Sequence, residues 1–324
     1  MQSTRKLGLA ARLVLAFACI PGIAAAQEAA PSQTLELWPA GTLPQVTHGS
    51  EQVGTDGSAT GSVRNISNPR MEIYRAAKPN GSAVLVLGGG GYFRIQIGTA
   101  ARPMAQWLAA TGTTAAVLYY RLPNDGWKAE APYQDGQRAM RLLRSHAAEW
   151  GIDPHKIGVM GSSAGANLAG ITATRWDHDF YAPVDAADTL SSRPDFLAML
   201  YPVVSVKPPL DQTRTSREVS TQPDYQTAYS VEDHVRADMP PVFIAQAVND
   251  PIVDVGHGLL LYQTAHQAKV PVELHLFETG GHSWGLGKPG TEPAQWPRLF
   301  ATWARMHGFL GGTPTAAGAD AAGE

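Results

Sequence analysis

Cysteine is nearly absent from this chain: Cys19 is the only one in 324 residues. It lies inside a leading segment that reads as an export signal, so the mature chain is expected to carry neither a thiol nor a disulfide. Such a chain cannot mis-pair in an oxidising compartment. Basic charge is also in short supply. Lys and Arg number 25 against 28 Asp and Glu, a formal net charge of −3, which argues against the broad basic face of a nucleic-acid-binding protein. After the first 26 residues no run is apolar enough for long enough to cross a bilayer, which takes roughly 20 residues. Internal repeats are missing as well.

What is present begins with the leader. Arg5, Lys6 and Arg12 supply a positive start, an apolar stretch follows over 13–23, and Ala24-Ala25-Ala26 closes it with small residues. That order matches a secretory signal with an A-x-A cleavage site. Cleavage after Ala26 leaves 22 basic against 28 acidic residues, a net charge of −6. The context Ala16-Phe17-Ala18 is poor for lipid attachment to Cys19. The expected location is therefore periplasmic or secreted, with no membrane span once the signal is removed.

Hydrophobic residues make up 44% of the chain, enough for a full core. The 33 Gly and 24 Pro are spread between apolar runs, as turns rather than as disorder. Residues 27–70 read as a turn-rich N-terminal lead-in with at most one early strand. From residue 71 strand-length apolar runs (71–74, 83–87, 114–120, 156–160, 196–201, 242–248 and 272–277) alternate with helical stretches. The helices are expected over 101–110, 133–150, 164–174, 256–267 and 293–309. This alternation predicts one α/β domain over 71–310, a mostly parallel, twisted sheet with helices on both faces. The polar, proline-bearing stretch 207–238 is expected to cap the carboxyl edge of the sheet. The Gly/Ala-rich tail 311–324 is expected to be disordered.

Four motifs carry chemistry. Gly161-Ser162-Ser163-Ala164-Gly165 is a G-x-S-x-G between a strand and a helix, the context of a nucleophile elbow. A glycine-rich chain produces such a pentapeptide by chance, and helix N-capping is the competing role for either serine. Gly88-Gly89-Gly90-Gly91-Tyr92 follows the strand at 83–87. Four consecutive glycines cost backbone entropy and make sense where a backbone approaches a ligand closely. Their N–H groups, with that of Ala164, are placed to hold a developing oxyanion. A phosphate loop fits less well, because no Gly-Lys-Ser/Thr follows. Asn249-Asp250-Pro251 ends the strand at 242–248, where a carboxylate can orient a histidine; Asp254 is expected to serve the loop instead. Gly280-Gly281-His282-Ser283-Trp284-Gly285 follows the strand at 272–277, and an imidazole there can take and return a proton. The order Ser163, Asp250, His282, each after a strand, is the order of the triad in the α/β-hydrolase fold.

With these motifs in place the chain resembles the bacterial acetyl esterase/lipase-like α/β-hydrolases, the acetylxylan- and feruloyl-esterase-like group. The likeness runs from about 37 to 310 and is carried by 84–92, Tyr119-Tyr120-Arg121-Leu122, 135–143, 150–165, 192–202, 249–253 and 274–287. It implies Ser163 as nucleophile, Asp250 as acid and His282 as base, with Gly90 and Gly91 from the glycine run in the oxyanion hole. It implies no metal and no cofactor. The implied substrate is a short acyl ester, chiefly acetyl, of a small molecule or of a plant cell-wall polysaccharide such as xylan. Tyr92, Trp284 and Tyr120 would line a sugar-facing site. Alternatives are a broad short-chain esterase or lipase, a feruloyl esterase, a serine peptidase of the same fold, and an inactive ligand-binding homologue. The chain departs from the family at Gly88, Asn249, Asp254 and Ala166-Asn167, which bears on substrate preference rather than on the triad.

Overall fold

The computed structural model describes residues 30–44 and 49–311. The expected signal, Cys19 and residues 312–324 of the tail lie outside the described residues. Eleven strands are found among them: β1 Gln33–Glu36, β2 Gln52–Val53, β3 Ser62–Arg64, β4 Arg70–Tyr74, β5 Ala83–Leu87, β6 Ile95–Gln96, β7 Thr114–Tyr119, β8 Ile157–Ser162, β9 Leu197–Leu200, β10 Val242–Ala247 and β11 Val272–Phe277. The α-helices are α1 Arg102–Ala110, α2 Ala131–Ser145, α3 Ala147–Trp150, α4 Ala164–Thr174, α5 Arg214–Val219, α6 Tyr225–Ala228, α7 Gly256–Gln267 and α8 Trp296–Met306.

Eight strands form one sheet in the order β1-β4-β7-β5-β8-β9-β10-β11. From β7 to β11 every pairing is parallel, while β1 and β4 add antiparallel strands at one edge. The central strands are buried on both faces: every residue of β5, β7, β8, β9 and β10 is inaccessible. That is why they read as unbroken apolar runs rather than as alternating ones. Helices α2 and α4 cover one face, and α1 and α8 meet on the other, where Trp107 and Trp296 lie edge-to-face at 5.4 Å.

The element boundaries differ from expectation in instructive places. The helix expected over 133–150 is two helices, broken at His146, whose backbone leaves helical geometry (φ −94°, ψ 5°) while its ring contacts the Leu142 carbonyl. The lead-in is part of the sheet, not a preface to it: β1 pairs with β4 from Gln33↔Ile73 to Glu36↔Arg70. Two further strands of the lead-in, β2 and β3, form a small antiparallel sheet with β6. These three are too short to show any sequence period.

One buried charge cluster ties these layers together. Asp135 of α2 takes the Arg121 guanidinium at 2.7 Å, the Arg121 backbone N–H at 2.8 Å and the Trp38 indole N–H at 2.7 Å. A lone buried carboxylate would be costly; here each oxygen has partners.

Candidate active site

The site is built at the carboxyl ends of the parallel strands. At the end of β8 the chain turns through Ser163 into α4. Ser163 sits at φ 53°, ψ −121°, a conformation non-glycine residues rarely adopt. Strain of this kind costs on the order of 1–3 kcal/mol and persists only where the surroundings over-determine it. Here they do: the Ser163 N–H donates to the Leu200 carbonyl at 3.0 Å, and the Ser163 carbonyl accepts from Val203 and Ala166. Gly161 and Gly165 make the turn sterically possible. A Cβ on Gly161 would collide with the Gly165 carbonyl, and one on Gly165 with the carbonyls of Leu87 and Gly88.

Asp250 and His282 come from the loops after β10 and β11. His282 Nε2 lies 2.9 Å from Ser163 Oγ, and its Nδ1 lies 2.6 Å from Asp250 Oδ2. The Asp250 side chain is inaccessible and that of His282 is 5% exposed. The other carboxylate oxygen of Asp250 accepts the N–H groups of Ile252 at 2.8 Å and Val253 at 3.0 Å, so the carboxylate cannot swing away. Asp254 accepts from the Gly256 N–H at the start of α7 and stays out of the relay.

Beside the serine runs the glycine segment. The Gly89 N–H donates to Ser162 Oγ at 3.1 Å, and the Gly89 carbonyl accepts from Gln96. Gly90 (φ 130°) and Gly91 (φ 64°) border the cavity next to Ser163. A Cβ on Gly90 would strike the Arg94 carbonyl. Ala164 is the first residue of α4, so its N–H has no acceptor within the helix. The glycine segment and the first turn of α4 thus both adjoin Ser163, with the positive end of the α4 dipole behind it.

These groups open into a cavity of about 440 Å³. Its wall includes Phe93, Arg94, Tyr201, Val203 and Arg214 as well as Ser163 and His282. The stretch expected to cap the sheet contributes through Thr213, Arg214 and Thr215. Burial pushes the Tyr201 phenol up to about 12, so it stays a neutral hydroxyl against Ser162 and the Gly285 backbone.

The expected aromatic lining is not what the structure shows. Tyr92 is fully buried, and its hydroxyl donates to Asn167 Oδ1 at 3.1 Å beneath the elbow; Phe93 faces the cavity instead. Tyr92 lies at φ 61°, inside the tight turn closed by the Phe93 N–H and the Gly90 carbonyl, which sends its ring inward. Tyr120 is also buried and donates to the Gly88 carbonyl at 2.7 Å. Trp284 packs behind Tyr201, with ring centroids 4.5 Å apart, and does not line the cavity. Sequence position near a motif cannot tell a wall residue from its neighbour one residue on.

Other participants carried no sign of their partners in the motifs. Asn249 Oδ1 accepts the Gly281 N–H at 2.9 Å, tying the histidine loop to the aspartate loop. Gln246 inside β10 donates to the carbonyls of Val253 and Asp254 and accepts from Gly258, fixing the aspartate loop against α7. Asn167, a departure from the family pattern, accepts from Tyr92 and Tyr133 and donates to the Tyr229 carbonyl at 2.9 Å.

A parallel sheet with a serine on a strained strand-to-helix turn defines the α/β-hydrolase class of protein. The chain belongs to the family described as alpha/beta hydrolase fold, whose model matches residues 84–286. It is similar to an acetylxylan esterase of Xylanibacter ruminicola, 27% identical over 225 residues, which is 67% of this chain and 44% of that protein. It is similar also to endo-1,4-beta-xylanase B of Butyrivibrio fibrisolvens, 31% identical over 153 residues, 47% of this chain and 24% of that protein. The chain thus spans less than half the length of these curated relatives. Among solved structures it resembles an acetyl ester-xyloside bifunctional hydrolase from Caldicellulosiruptor lactoaceticus, with a TM-score of 0.70 at 28% identity over 87% of this chain and 98% of that one. A thermophilic esterase from Thermogutta terrifontis, solved with propionate bound, gives 0.67 at 26% identity over 83% and 98%.

Proposed function

We propose that this protein is an exported serine carboxylesterase that hydrolyses short acyl esters, acetyl esters foremost, including those on cell-wall polysaccharides such as xylan. The observation that carries the reading is the unbroken relay Asp250–His282–Ser163. His282 Nε2 takes the Ser163 proton as Oγ attacks the ester carbonyl. The negative oxygen that forms is held by the N–H groups of Gly90 or Gly91 and of Ala164. The C–O bond to the alcohol breaks, and His282 returns the proton to the departing oxygen. Water then attacks the acyl carbonyl as His282 takes its proton, the bond from that carbon to Ser163 Oγ breaks, and His282 returns the proton to Oγ as the acid leaves. Asp250 holds the imidazole in the tautomer with Nδ1 protonated and stabilises the imidazolium.

The acyl preference is supported by the relatives, one named an acetylxylan esterase and another holding propionate. Export is supported by the leader pattern at residues 1–26. The test is Ser163→Ala assayed on 4-nitrophenyl acetate and on acetylated xylan. Turnover should fall by roughly 10⁴-fold or more with the fold intact, and a fluorophosphonate should label the wild type but not the variant. A variant that keeps near-full turnover overturns the assignment. Failure of the wild type to take the label would favour the inactive ligand-binding reading.

A further inference from the structure

The cavity in front of Ser163 has a charge character that the chain as a whole does not. The protein carries more acidic than basic residues, yet among the described residues no Asp or Glu lines this cavity, while two arginines do. The two are not alike. Arg214 is answered by Glu218 at 2.5 Å and by the Asn124 amide oxygen at 3.2 Å. Arg94 has no carboxylate within ion-pair distance among the described residues. Its Nε is buried without a hydrogen-bond partner, and Nη2 makes one long contact to Ser58 Oγ at 3.4 Å. Desolvation pulls its pKa down, with no acidic neighbour pushing back, whereas Arg70, Arg138 and Arg236 are each held up by a carboxylate.

The Phe93 ring contacts both guanidinium groups, with its centroid 4.9 Å from that of Arg94 and 4.8 Å from that of Arg214. The aromatic face orients the Arg94 fork without consuming its donors. A partly desolvated guanidinium without a counter-charge is costly to keep, and a carboxylate arriving in the cavity would supply two charge-assisted hydrogen bonds. We propose that the ester cleaved at Ser163 carries a carboxylate, which Arg94 binds. This deepens, and rests on, the esterase reading above. The carboxylate can belong to the acid half, as in a half-ester of a dicarboxylic acid, or to the alcohol half, as in an acylated acidic sugar.

Two substrate pairs separate these sources. The acid-side pair is 4-nitrophenyl hydrogen succinate against 4-nitrophenyl methyl succinate. The alcohol-side pair is 4-acetoxybenzoate against its methyl ester. In at least one pair the wild type should favour the anion by about tenfold or more in kcat/KM at low salt. Arg94→Gln should abolish that preference, chiefly by raising KM for the anion. Arg94→Lys should keep part of it, and high salt should erode it in the wild type. A wild type with no preference for either anion, or a preference that survives in Arg94→Gln, overturns the proposal. Should Arg94→Gln fail to fold, a wild type without the preference still overturns the proposal, and partial retention in Arg94→Lys assigns a preference that is present to Arg94. Failure of the esterase reading looks different: Ser163→Ala would then cleave all four esters as well as the wild type.

Discussion

Ser162 shows how much of the chemistry is set by a residue outside the proton relay. It lies one position before the attacking serine, fully buried, and its Oγ accepts the Gly89 N–H. That bond clamps the glycine segment, and with it the amides of Gly90 and Gly91, to the elbow. Misplacing such donors by an ångström is enough to lower a rate by about 100-fold. Ser162→Ala is therefore expected to reduce kcat on a short ester by about tenfold or more with KM little changed, the circular dichroism spectrum remaining native. An unchanged kcat would show that the glycine segment holds its place without the serine. At this scale the motifs were legible in the sequence because each follows a strand and each demands a particular residue. The supporting residues Ser162, Gln246, Asn249 and Asn167 were not. A polar side chain carries no mark of its partner when that partner is tens of residues away.

Among the elements, the β8–Ser163–α4 unit is the one that tolerates least. Gly165 packs where the carbonyls of Leu87 and Gly88 pass, so the start of α4 lies directly against the end of β5. Gly165→Ala puts a methyl group into backbone atoms, which have no rotamer to escape into. We expect a loss of about 3 kcal/mol or more, or failure to fold, read as a drop in the thermal midpoint or in soluble yield. A variant with wild-type stability would mean that α4 can slide away from β5. The central strands and helices were readable because burial on both faces leaves long apolar runs. The strands β2, β3 and β6 were not, having two or three residues each. The break at His146 was hidden for a different reason. The apolar residues keep near-helical spacing across it, and only the backbone angles differ.

For the whole molecule, the loops that make the cavity are joined by a buried histidine outside the relay. His257, in the first turn of α7, is inaccessible, and its Nδ1 accepts the N–H groups of Val204 at 3.1 Å and Ser205 at 3.2 Å. It links the segment that follows β9 to the helix that follows Asp250. Only the imidazole with Nδ1 unprotonated can make these bonds. Burial lowers its pKa to about 4 in the folded state, against about 6.5 in an unfolded chain. Between those values the unfolded chain binds a proton that the folded one refuses. Stability is therefore full above about pH 6.5 and falls as pH drops towards 4, by at most about 3 kcal/mol. Burial lowers His178, His234 and His307 as well, which adds in the same direction. Urea unfolding at pH 7.5, 6 and 4.5 should show this decline, and His257→Asn should flatten it. Equal pH slopes in the two proteins would rule His257 out as a source.

The sequence by itself determined the class of fold and the order of its chemistry. Both are written in local form: apolar runs of strand length, a pentapeptide that only a tight turn explains, and a histidine between glycines. The tertiary structure alone decided which side chains face the cavity. Tyr92 turns inward and Phe93 outward, Trp284 withdraws behind Tyr201, and Arg94 and Arg214 both meet the Phe93 ring. The reason is physical. Periodicity reports which positions are apolar, but orientation at a loop depends on positive backbone angles and on partners far away along the chain. The charge of the wall follows from that meeting of distant loops, and composition does not contain it.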